Sequence, residues 1–93
     1  MFVRTIRLEI YVHDALTLKD KRQVLQSLMT RARNKFNISI AETGFQDDWQ
    51  RAELGLAFVS NKMAHLDSVQ QELLNFLDEG FSIDILDVSA DDY

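Results

Sequence analysis

Ile6, Leu8, Ile10 and Val12 alternate with Arg7, Glu9, Tyr11 and His13, and this two-residue period constrains the chain more than any other feature. Successive side chains of a strand point to opposite faces, so one face here belongs to a core and the other does not. A sheet with one apolar face needs a layer to cover it, and the chain supplies two amphipathic helices. Leu18, Val24, Leu25, Leu28, Met29, Ala32 and Phe36 recur on one side of a proline-free helix predicted over about residues 18–35. Thr17 is placed to cap it, and Asp20 completes an aspartate variant of the capping box. Met63, Leu66, Val69, Leu73, Leu74, Phe76 and Leu77 form the apolar arc of the second helix. Ser60 or Asn61 is expected to cap that helix and Gly80 to stop it.

The remaining segments alternate as strands. Residues 38–45 are followed by a turn at Gln46-Asp47-Asp48, and Trp49 is expected to close the turn and pack over one end of the core. Residues 51–59 place Ala52, Leu54, Leu56 and Phe58 on one face and Glu53, Gly55, Ala57 and Val59 on the other, close enough to the preceding strand for a hairpin. Ile83, Ile85, Leu86 and Val88 mark a last strand, with Asp91-Asp92-Tyr93 as a polar tail. The order β-α-β-β-α-β, with both helices on one sheet face and right-handed crossovers, predicts an α+β, ferredoxin-like sandwich. Its antiparallel sheet is expected in the order 4-1-3-2, as a single domain over residues 1–93. Thr5, Tyr11, Phe45, Ala57, Val59 and Ile85 then populate the open face, and Tyr11, Phe45, Ala57 and Val59 are candidate contacts of a homodimer or regulatory interface.

Charge is unevenly placed along the chain. Residues 1–36 carry eight Lys/Arg against three acids, whereas residues 37–93 carry two against twelve, within a net charge of -5. Such a chain is not a general nucleic-acid coat, yet its first helix can present a local anion-binding surface. The absence of cysteine excludes disulfides and thiolate zinc sites. No apolar run approaches a membrane span, and Arg4, Arg7 and Glu9 interrupt any signal-peptide core, so a cytoplasmic protein without a membrane partner is expected.

Thr-Leu-Lys-Asp-Lys-Arg at 17–22, Phe-Asn-Ile-Ser-Ile-Ala-Glu at 36–42, Gln-Asp-Asp-Trp-Gln-Arg-Ala at 46–52 and Val-Ser-Asn at 59–61 resemble, in that order, the YlxP-like family of small bacterial proteins with a domain of unknown function. The similarity spans nearly the whole chain. Thr17 conserves the hydroxyl of the serine usual in the family, and Phe45 stands where histidine is often found, so no role of that histidine is carried over. The resemblance implies a ferredoxin-like fold. Family genes commonly lie beside those of translation initiation and ribosome maturation factors, which implies a role near the small ribosomal subunit but assigns no chemistry.

Lys19, Arg22 and Arg33 project to one flank of the first helix, and Arg31 and Lys35 to the other. These five are the candidate contacts to RNA phosphates, which cations neutralise without reading bases. Lys21 lies closer to the apolar stripe, with its stem along the sheet. Lys21 and Arg51 are therefore expected in structural ion pairs with Asp47, Asp48 or Glu42. Base stacking on the sheet, as in an RNA-recognition motif, is disfavoured because Gly55 and Ala57 stand where aromatics are needed. Acylphosphatase-like chemistry lacks its glycine-containing arginine loop in residues 13–18. His13 with Asp14 is a weak acid-base pair, and neither His13 nor His65 has ligand spacing. A non-enzymatic protein without cofactor or metal is expected, with rRNA or the small ribosomal subunit as partner, or a second copy of itself.

Overall fold

The computed structural model describes residues 1–93. It contains β1 (Phe2–Val12), α1 (Leu18–Lys35), β2 (Ser39–Gly44), β3 (Arg51–Ser60), α2 (Met63–Gly80) and β4 (Ile83–Asp92). The antiparallel sheet has the order β2-β3-β1-β4, the predicted ferredoxin-like arrangement. Ile6, Leu8 and Ile10 lie opposite Leu56, Leu54 and Ala52 of β3, and Val12 opposite Ile83 of β4; they pack with Leu25, Leu28, Leu66, Leu73 and Leu77 of the helices in one core of 18 residues. Each fully buried leucine contributes about 2 kcal/mol. No helix is long and apolar enough to cross a membrane.

Thr17 caps α1 by accepting the Asp20 amide at 3.1 Å, while the Asp20 carboxylate accepts the Leu16 amide at 3.1 Å. The start of α2 differs from expectation. Its N-cap is Lys62, which makes no side-chain cap. Ser60 instead accepts the Lys62 amide at 3.1 Å from outside the helix. Gly80 ends α2 without a left-handed turn, and the chain leaves through extended Phe81, whose ring packs edge-on to Phe76 at 5.6 Å.

Four further expectations are corrected. Phe45 is not part of β2 but follows it, at φ 58° in the left-handed region. Ile85 does not face outward; it lies opposite Ile10 and packs on the core. The reason is a bulge between Glu9 and Ile10 that leaves Leu86 as the extra residue of β4, so the alternation resets after it. Asp91 and Asp92 are not a tail but the end of β4, and Tyr93 exchanges two backbone hydrogen bonds of 2.8 Å with Val3. Trp49 is 43 % exposed and outside the core, because the turn is closed by the Asp48 carboxylate, which accepts the Gln50 and Arg51 amides, and not by the indole.

Candidate RNA-contacting surface

Lys21, in the first turns of α1, has no exposed side-chain surface. Its Nζ donates to the carbonyls of Phe45 at 2.8 Å and Arg51 at 3.0 Å. Glu42 Oε2 lies 3.1 Å from Nζ but out of line for a hydrogen bond, so charge alone holds that buried oxygen. A buried ammonium is tolerated because two carbonyls and a carboxylate replace its water. Lys21 is thus a structural clamp between α1 and the β2–β3 loop.

The same loop is tied from other sides. The Asp48 carboxylate accepts the amides of Gln50 at 2.8 Å and Arg51 at 2.9 Å, and these bonds hold its pKa below the ordinary value. The Val12 amide donates to the Gln50 carbonyl at 2.7 Å, joining the loop to the end of β1. Arg51 pairs through its side chain with Glu9, not with Asp47, Asp48 or Glu42. Arg51 and Glu9 share the open face, whereas Glu42 points to the helices. The Arg51 guanidinium also covers the Phe45 ring at 4.5 Å.

The five remaining cations of α1 divide by surroundings. Lys19 and Arg22 are exposed and have no carboxylate within ion-pair distance. Arg33 is exposed too, yet its guanidinium donates to the Ile40 carbonyl at 2.9 Å, covering the free edge of β2. Arg31 lies over the Phe81 ring at 4.6 Å and Lys35 over Phe76 at 5.0 Å. These two share a groove with Glu72 and Glu79 of α2. The free cationic flank is therefore the β2 side of α1, running about 21 Å from Lys19 to Arg33 at 1.5 Å per residue.

On the open sheet face, Tyr11, Ala57 and Val59 fall on β1 and β3, with Val59 exposed and the other two half-buried. Arg7 reaches Glu53 at 3.9 Å, and with the Arg51–Glu9 pair this places charge across the middle of the face. A Cβ on Gly55 would stand 2.8 Å from the Thr43 methyl, so that position has no room for an aromatic ring. His13 pairs with Asp84 at 3.0 Å rather than with Asp14, and His65 meets the Ser60 hydroxyl at 2.9 Å.

Arg4 is the polar residue that sequence reasoning passed over. It is 7 % exposed on the helix-facing side of β1, and donates to Asp92 at 2.7 and 2.9 Å and to Asp67 at 2.7 Å. Its pKa is raised, first by the hydrogen bond to Asp92 and next by that to Asp67, and the same contact lowers the pKa of Asp92. The signal was present: Arg4 occupies the even-numbered phase of Ile6 and Leu8, where a cation needs partners.

Fold and site define a small ferredoxin-like α+β protein with one unpaired cationic helix flank and a braced loop beside it. The chain belongs to DUF503, a family described as proteins of unknown function, whose profile matches residues 3–90. It is 46% identical over 70 residues to the uncharacterized protein YlxP of Bacillus subtilis (strain 168), an alignment covering 75% of this chain and 76% of that protein.

Proposed function

We propose that this protein is a non-catalytic cytoplasmic accessory factor that binds structured RNA, on the small ribosomal subunit during its maturation or in translation. The observation carrying this reading is the flank of Lys19, Arg22 and Arg33, exposed and without carboxylate partners on a chain whose net charge is -5. Lysine and arginine on a helix flank suit phosphate contacts, which position a protein without reading sequence. The acidic remainder opposes indiscriminate binding elsewhere on the molecule. Arg31 and Lys35, placed over aromatic rings and beside Glu72 and Glu79, are secondary contacts in this reading.

Purified protein is expected to bind small-subunit particles with an affinity that falls about 40-fold between 50 and 200 mM salt, the value for three phosphate contacts on a duplex. Reversing Lys19, Arg22 and Arg33 to Glu is expected to weaken binding at least about tenfold at low salt and to flatten that dependence. Equal retention of the triple variant at matched low salt overturns the flank.

Association of two copies through the open sheet face ranks second. Exposed Val59 favours it, while the Arg51–Glu9 and Arg7–Glu53 pairs oppose it because their charges would have to be desolvated. Light scattering across a dilution series decides: a mass that stays at one chain at high concentration removes this reading.

A further inference from the structure

Trp49 is the single tryptophan of the chain, and 43 % of its surface is open to solvent. Its indole has no aromatic or cationic partner within the fold, whereas the neighbouring Phe45 ring is covered by Arg51. A large aromatic exposed on a slack loop would be unremarkable. This loop is braced. Lys21 holds both its ends through the Phe45 and Arg51 carbonyls, Asp48 gathers the two amides that follow Trp49, and Val12 fixes the Gln50 carbonyl. The bracing also maintains Phe45 at φ 58°, a left-handed conformation that is strained for a bulky L-residue. Strain kept in place by buried contacts points to a required loop shape.

The electrostatics at this end select the partner. Lys21 reaches the loop directly, and Lys19 and Arg22 lie on the same opening turns of α1, so two free cations stand at the end of the molecule that carries Trp49. Asp14 and Asp47, whose carboxylates make no hydrogen bond, disfavour phosphate over the loop tip and leave the α1 side as its place. An exposed indole on a braced loop, at the same end of the molecule as two unpaired cations, matches the way unpaired bases are bound: the ring stacks on the base while cations take the flanking phosphates.

We infer that Trp49 is a stacking platform for an unpaired RNA base, with Lys19 and Arg22 holding the phosphates on either side of it. This inference rests on the RNA reading above and names the part of the RNA that is recognised. It places contact at the edge of a helix or at a loop, where bases are splayed out, and not along an uninterrupted duplex.

The test titrates the full chain with two RNAs of the same stem, one closed by a loop of unpaired adenines and one blunt, in about 50 mM salt. Emission of the sole tryptophan reports stacking, and anisotropy of labelled RNA reports affinity. The looped RNA is expected to quench Trp49 and to bind more tightly than the blunt stem. Trp49→Ala is expected to lose about tenfold in affinity for the looped RNA only, and Trp49→Phe to keep most of it. Circular dichroism of both variants establishes that they fold, and Trp49→Phe retains a ring if the alanine variant does not. Unchanged emission on saturation, or unchanged affinity in Trp49→Ala while Lys19→Glu/Arg22→Glu binds weakly, overturns the stacking and leaves the helix flank standing. Quenching that persists in Lys19→Glu/Arg22→Glu at unchanged affinity overturns the phosphate assignment. If the parent binds neither RNA, both the inference and the reading beneath it fall.

Discussion

Lys21 shows how one residue in a basic run differs from its neighbours. Lys19, Lys21 and Arg22 fall within four consecutive residues, yet only Lys21 is turned inward, where the amine meets two carbonyls and Glu42. Helical phase was enough to separate it from the others, because the position adjoins the apolar stripe. Its partners were not legible with the same clarity: Glu42 was one of three candidates, and the carbonyls of Phe45 and Arg51 carry no mark in a sequence. Arg51 illustrates the converse. Its carboxylate partner is Glu9, more than forty residues earlier, and only the register of β1 against β3 brings them together. Lys21→Met keeps the stem and removes the charge, leaving Glu42 uncompensated and the Arg51 carbonyl without its donor, while the Phe45 carbonyl keeps only the Asp48 amide. Urea unfolding is expected to show a loss of about 3 kcal/mol. Adding Glu42→Gln should recover part of that loss, because the stranded charge disappears. A Lys21→Met variant within about 1 kcal/mol of the parent would mean that water replaces the amine and that the clamp is not needed for stability.

At the scale of elements, what the sequence displayed and what it hid follow from the range of the interactions. Helix α1 runs from Leu18 to Lys35 as its periodicity predicts, because its start is written locally in Thr17 and Asp20. The start of α2 is not written that way. Ser60 supplies its hydroxyl from outside the helix, and the N-cap falls to Lys62. Strand β4 hid its phase for a similar reason: Ile85 and Leu86 are both apolar and adjacent, and only pairing with β1 shows that Leu86 is the inserted residue. The β2–β3 loop combines both cases. Its turn residues were plain, but the left-handed Phe45 and the outward indole depend on α1 and β1 arriving at the same end of the sheet. The candidate surface was therefore half legible. The cations can be read by projection down a helix, whereas the pattern around Trp49 predicts a core position that the structure does not give it.

For the whole molecule, Arg4 joins what the chain separates most widely. It links the first strand to Asp92 on the last and to Asp67 on α2, at the end of the sheet where Tyr93 also pairs with Val3. The same contact makes stability depend on pH with a definite sign. Asp92 has a folded-state pKa below its ordinary value of 3.8, chiefly because Arg4 donates to the charged carboxylate. A carboxylate whose pKa is depressed by folding contributes stability that is fully present above its unfolded value and is lost as pH falls toward the folded one. Asp48, lowered by the amides of Arg51 and Gln50, acts in the same direction. Asp92→Asn removes the first of these two contributions and leaves the second. Denaturant unfolding of parent and variant across the acid range should give a stability difference that is constant near neutral pH and shrinks as pH falls below 3.8. A difference independent of pH would show that Asp92 acts through packing and neutral hydrogen bonding alone. The variant is expected to keep a reduced acid dependence, because Asp48 retains its own depressed pKa in the loop that carries Trp49.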